Sequence, residues 1–172
     1  FLAVGLIKPH LPFVAPKKYW DLYDRNQITV PSRDDVVNGV TYARSGWGEL
    51  KNYPDIPRNV EHLDDAKSKE LIHGYYAAVS YMDAQLGRVL DELDRLDLSR
   101  NTIIVLWGDH GWKLGEHDAW CKHSNAENDV NAPLLVAAPG MQPAGRRTDA
   151  LVEFVDIYPT LCELAGLPLP PH

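Results

Sequence analysis

No apolar run in this sequence approaches the ~20 residues that cross a bilayer as a helix, so a helical membrane span is excluded. Positive charge is scarce as well. Lysine and arginine total 17 against 24 acidic residues, a formal net charge of -7, so there is no basic footprint for nucleic acid. An anionic substrate would need a local cluster of cations set against an acidic background. Cysteine is nearly absent: Cys121 and Cys162 are far apart and fall in different predicted elements. A disulfide and two free thiols both remain open, and the redox compartment is not settled. There is no Gly-rich phosphate loop, no G-x-S-x-G nucleophile elbow and no internal repeat. The first residues have neither the basic flank nor the cleavage site of a secretory leader. Phe1-Leu2-Ala3-Val4-Gly5 reads as the interior of a buried strand, so the chain is expected to continue upstream, and the missing leader says nothing about compartment.

What is present suits one domain with a sizeable core: 172 residues, 45% of them apolar. After the first predicted strand, Lys8-Pro9-His10-Leu11-Pro12-Phe13 is too proline-rich for a helix and reads as a loop. Lys17 to Tyr23 suits a short helix, and the rest of residues 16–59 reads as a long polar excursion, of the kind that often walls a substrate pocket. From about Asp64 to Leu96, the residues Leu71, Tyr75, Ala78, Met82, Leu86, Val89 and Leu93 recur at three- and four-residue steps, which predicts one long amphipathic helix. Asp64 and Asp65 suit its N-terminus.

Thr102 to Trp107 and Pro133 to Ala138 are apolar runs that predict strands buried on both faces. Residues 151–166 predict a second amphipathic helix, with Val152, Val155, Tyr158, Leu161 and Ala165 as its stripe, Gly166 as its C-cap and Pro168, Pro170 and Pro171 beyond it. Strands alternating with helices argue for an α/β layer fold with mostly parallel pairing, whose ligands gather at the carboxyl ends of strands.

The chemistry-bearing residues lie just after those strands. Asp109 and His110 stand between Gly108 and Gly111, where a sharp exit would let a carboxylate and an imidazole reach one divalent metal; an ordinary strand-to-loop turn is the alternative. Lys122, beside His123, could bind an anionic oxygen as a point charge or be a solvated surface lysine. His10, on the proline-stiffened loop, could donate a proton to a leaving oxygen or be satisfied by backbone. Glu116 and His117 do not match H-E-x-x-H spacing. Trp112 and Trp120 either line a sugar site or pack the loop, with packing the better reading. These residues yield a candidate metal and anion site and no reaction.

The string Trp107-Gly108-Asp109-His110-Gly111-Trp112-Lys113-Leu114-Gly115-Glu116-His117, followed by Trp120-Cys121-Lys122-His123-Ser124-Asn125, closely resembles the sulfatase family in its iduronate-2-sulfatase branch. The same holds for Phe1 to Phe13, for Tyr76 to Asp83 and for Leu151 to Leu161, so the resemblance covers nearly the whole chain apart from about residues 24–60. It implies an alkaline-phosphatase-like α/β sandwich around a mostly parallel sheet, with residues 1–172 as one partial catalytic domain. It implies hydrolysis of sulfate esters, on sulfated sugars, by a formylglycine and a calcium ion. Asp109 and His110 would be metal ligands, Lys122 and His10 would contact the sulfate and its leaving oxygen, and Lys8 would lie close by as a substrate-binding residue. No C-x-P-x-R, the source of formylglycine in the family, occurs here: Cys121 begins C-K-H-S-N and Cys162 begins C-E-L-A-G. The nucleophile and the remaining metal ligands are therefore expected upstream of residue 1, and the chain alone is expected to be inactive. Family analogy implies a secreted, periplasmic or lysosomal protein. A phosphodiesterase or phosphonate hydrolase of the same superfold, or a non-catalytic remnant, are the competing readings.

Overall fold

The computed structural model describes residues 1–33, 47–141 and 145–169. Most of the predicted pocket-walling excursion's centre, residues 34–46, and the trailing Pro170 and Pro171 lie outside the described residues. The contacts group into two compact units, one of residues 1–90 and 108–132, the other of residues 91–107 and 133–172.

In the first unit, α1 (Lys17–Trp20) falls within the expected short helix. The long helix α2 spans Asp65–Arg95, within one residue of the predicted bounds, and its last turn enters the second unit. It begins where it does because the Asp64 carboxylate accepts the backbone N–H of Lys67 at 2.7 Å and so caps the first turn. Burial concentrates in the first half of the helix, where Tyr75 of the predicted stripe is half-covered. Leu71, Ile72, Ala77 and Ala78 are buried, whereas Val89 is exposed and Met82, Leu86 and Leu93 are half-covered. Tyr23 and Tyr19 dock on this half, the first through a 2.6 Å hydrogen bond to Ser80 and the second against the Tyr81 ring. His73 hydrogen-bonds the Trp20 carbonyl at 2.8 Å. The core of the unit joins Leu11, Leu50, Ile56, Leu71, Trp120 and Cys121, and draws in Trp47 and Leu63.

A short hairpin follows, β2 (Lys113–Leu114) against β3 (Trp120–Cys121), with Lys113 opposite Cys121. Trp120 is buried in the core, so of its two readings the packing one holds. Residues 127–130 form the single-turn α3 (Glu127–Val130).

In the second unit, β1 (Ile104–Trp107) pairs with β4 (Leu134–Ala137), Ile104 opposite Ala137 and Trp107 opposite Leu134. Three expectations are corrected here. Both ladders among the described residues are antiparallel, because no helix longer than a single turn separates β1 from β4 and an antiparallel return needs no crossover. Neither strand is buried on both faces: Trp107 and Leu135 are exposed, since in a two-stranded ribbon each strand is an edge. Phe1 to Gly5 joins no ladder among the described residues and stays exposed, since an apolar run becomes a strand only by pairing.

The last helix, α4 (Ile157–Leu164), is shorter than expected and follows a 3-10 turn at Phe154–Asp156. Pro159 has no N–H and is tolerated only in a first turn, so the helix starts at Ile157. Val152, Val155 and Tyr158 of its predicted stripe are exposed, while Cys162 is buried. Gly166 does end it: at φ 66° it sends its N–H to Glu163, and Leu167 sends its own to Cys162, a Schellman stop.

Candidate anion and metal site

The proline loop is folded on itself. It contains the cis bonds Lys8–Pro9 and Leu11–Pro12, and the His10 N–H bonds the Ile7 carbonyl at 3.1 Å. Leu11 is buried in the core, which fixes the loop and leaves the His10 ring at the surface, 40% exposed. Nδ1 of His10 lies 2.9 Å from the Leu11 carbonyl, which assigns the Nδ1 proton to that bond and aims Nε2 outward from the loop.

Lys122 follows β3 on a strained stretch. Cys121 and His123 on either side have φ of 69° and 89°, a left-handed geometry that costs a non-glycine residue about 1–3 kcal/mol. Burial of Cys121 on one side and a buried ion pair on the other sustain it. In that pair Lys113 and Asp129 bond directly, and both side chains are almost wholly buried. Ser124 completes the group, its Oγ bonding Asp129 at 2.6 Å and Lys113 at 2.8 Å and its N–H bonding Asp129 at 2.8 Å. Thus the residue two places beyond Lys122 is tied to the residue that follows Trp112.

Held this way, the Lys122 ammonium reaches Nε2 of His10 at 2.9 Å and Oε1 of Glu49 at 2.8 Å, and sits 4.9 Å over the Trp112 ring. Glu49 Oε1 is also 3.0 Å from His10 Nε2. With its proton on Nδ1, a neutral His10 accepts from Lys122; once protonated, it donates from Nε2 to Glu49. Burial pushes the Glu49 carboxyl up, but the hydrogen bond and charge of Lys122, with the charges of His10 and His123, outweigh it and leave the carboxyl below its ordinary value. His10, Lys122 and Glu49 therefore form one cluster of coupled charges, accessible through the His10 edge.

The Asp109–His110 turn leaves the end of β1 as expected. The Asp109 side chain is 87% exposed, with Oδ2 3.7 Å from His110 Nε2. His110 gives Nδ1 to the Gly111 carbonyl at 2.7 Å, which frees Nε2 as a ligand. The turn is clamped from behind. The Gly111 N–H bonds the Asp129 carbonyl at 2.8 Å, and a Cβ on Gly111 would lie 2.0 Å from the Asn128 carbonyl oxygen, so only glycine fits. Trp112 links the two groups, its ring 5.8 Å from His110 and 5.7 Å from His10. The donor chemistry of Asp109 and His110 suits a divalent cation, but among the described residues no three His, Cys, Asp or Glu side chains gather to hold one.

Lys8 does not join the cluster directly. Its ammonium is spent on the carbonyls of His10 (3.1 Å) and Pro12, where burial holds it below the ordinary lysine value. Sequence reasoning missed Glu49 and the Lys113–Asp129 pair. No local signal marks either, since their partners are distant in the chain. Trp112, read as loop packing, does pack, against Phe13 and Tyr75, but also touches three of the candidate site residues.

The Sulfatase family profile matches residues 1–167. The chain belongs to the sulfatase family. A sulfatase of Formosa agariphila is 41% identical over 97% of this chain and 32% of its own length. Mouse iduronate 2-sulfatase is 37% identical over all of this chain and 37% of its own. Among solved structures, a phosphonate monoester hydrolase from Silicibacter pomeroyi superposes with a TM-score of 0.78 at 27% identity, over 94% of this chain and 33% of its own. The fold class is thus the alkaline-phosphatase-like α/β one expected for a sulfatase. This sulfatase chain spans about a third of the length of the curated relatives it matches. Membership of the family is compatible with a calcium ion and a formylglycine. Among the described residues, no helix is long and apolar enough to cross a membrane.

Proposed function

We propose that the protein containing this chain is a sulfuric ester hydrolase acting on sulfated sugars, and that both compact units belong to its one catalytic domain. The observation that carries the reading is the 2.9 Å contact of His10 Nε2 with Lys122 Nζ, two groups 112 positions apart that share an accessible edge. Hydrolysis replaces the ester S–O bond with a bond from water oxygen to sulfur, and the departing alcohol oxygen takes a proton. Lys122 neutralises charge on the sulfate oxygens and on that departing oxygen, and His10 in its protonated form supplies the proton from Nε2. Lys8 braces the loop that carries His10. Asp109 and His110 would hold the divalent metal, calcium by family analogy, which would supply further charge neutralisation at sulfate, and a formylglycine would supply the nucleophile. The sugar reading draws on the match to iduronate 2-sulfatase. A secreted, periplasmic or lysosomal location is proposed on family analogy alone.

The similarity to a phosphonate monoester hydrolase favours a second reading, hydrolysis of phosphonate or phosphate esters. Turnover of aryl sulfate, aryl phosphate and aryl phosphonate esters by the complete protein decides between them. Preference for sulfate is expected; a clear preference for either phosphorus ester overturns the first reading.

A further inference from the structure

We propose that Glu49 sets the charge of the anion site and makes it select a singly charged oxyanion over a doubly charged one. The inference rests on the sulfatase reading and names the residue that gives the site its choice of substrate charge.

Glu49 does more than neighbour the cations. Its Oε1 touches Lys122 at 2.8 Å and His10 at 3.0 Å, the two groups assigned to the anion. Its side chain is 21% exposed and that of Lys122 14%, so little water screens this pair. Oε2 of Glu49 is buried with no hydrogen-bond partner among the described residues, so the carboxylate's hydrogen bonding there runs through Oε1. Leu50, almost wholly buried in the core, anchors the backbone beside Glu49. Lys122 and Glu49 cancel formally, so the cluster is neutral with a neutral His10 and carries +1 with a protonated one. A sulfate monoester has one negative charge at neutral pH. A phosphate monoester has the same tetrahedral shape but approaches two charges above pH ~7. Shape cannot separate these two ligands; a fixed carboxylate can. With an effective dielectric constant of ~20, the repulsion of a second charge ~5 Å away is enough for discrimination of about tenfold or more.

The test compares the complete protein with its Glu49→Gln, Glu49→Met and Glu49→Asp variants, using 4-nitrophenyl sulfate and 4-nitrophenyl phosphate at pH ~8. Both neutral variants should raise the phosphate-to-sulfate ratio of kcat/KM by about tenfold or more, chiefly through a lower KM for the phosphate. Glu49→Asp, which keeps the charge, should stay close to the parent ratio. A ratio that moves by less than about twofold, or an equal loss on both substrates, overturns the proposal. Because each preparation is its own control, partial misfolding does not mimic the result. Calorimetry with methyl sulfate, which carries one charge, and methyl phosphate, which approaches two at pH ~8, on the same proteins gives a second readout. A selective gain for methyl phosphate in Glu49→Gln supports the proposal, and no gain overturns it, whether or not the parent turns over a sulfate ester. Absence of that turnover defeats the sulfatase reading separately.

Discussion

Glu49 and Lys122, 73 positions apart in the chain, meet at 2.8 Å, and the residues that follow and precede them, Leu50 and Cys121, meet as well. Leu50 and Cys121 are core residues, buried almost completely. The apolar pair thus sets the distance at which the charged pair operates: packing energy positions an electrostatic contact that would have little strength if left to two flexible side chains in water.

Replacing Lys122 should therefore remove more than a surface charge. In the complete protein, Lys122→Ala is expected to lower kcat/KM for an aryl sulfate by about 10²–10³, the scale of losing one charge-stabilising donor. Lys122→Arg should recover only part of it, because the guanidinium fork does not fit a side-chain position that is 14% exposed and aligned on two acceptors. Steady-state kinetics on the two variants checks both values.

The Lys113–Asp129 pair behaves as a strut. Lys113→Ala leaves a buried Asp129 carboxylate without its counter-charge and should cost about 3–5 kcal/mol. Chemical denaturation of the variant and parent measures it. Because Ser124 bonds both members, the same variant should loosen the Lys122 loop and reduce activity under conditions where it remains folded.

Cys121 should be inert in the folded protein. Burial, reinforced by the charge of Glu49, pushes its thiol up to about 12, against the opposing effects of Lys122, the Leu50 N–H and Lys113. Iodoacetamide at pH ~8 should leave Cys121 unmodified until the protein unfolds, as read by peptide mass spectrometry. The linkage has a definite sign. The unfolded thiol loses its proton near 9.0, while the folded one keeps it to about 12, so the contribution is complete below pH 9 and stability falls as pH climbs through that interval. Cys121→Ala should flatten the alkaline limb of a denaturation-midpoint profile.

Calcium affinity should separate the Asp109–His110 turn by itself from a full metal site. In the proposed role Asp109 and His110 would supply one carboxylate and one imidazole nitrogen, whereas the ion takes six to eight oxygens. Calorimetry on the 172-residue chain should find binding weaker than ~10⁻⁶ M, whereas chelation of the complete protein should abolish its activity. Submicromolar binding by the chain alone would show that its own residues make a fuller site than the Asp109–His110 turn.

Local pattern and long-range contact were legible to different degrees. The helix from Asp65 to Arg95 was readable because a 3.6-residue period is written into adjacent positions, and its start because Asp64 caps within its own turn. The Gly166 stop was readable for the same reason. The buried character of the Ile104–Trp107 and Leu134–Ala137 segments was overread: β-branched composition reports a preference for pairing, and burial depends on how many layers cover the pair.

The amino-acid sequence alone determined the long helix, the Gly166 stop, the two strand segments, the glycine-flanked Asp109–His110 turn and the family likeness, since each is carried by residues close together in the chain. Only the tertiary structure decided that Glu49 completes the His10–Lys122 cluster, that Lys8 turns to backbone carbonyls and that Lys113 and Asp129 brace the site from beneath. The reason is physical: a carboxylate's effect is set by distance and burial, and folding, not order along the chain, assigns both.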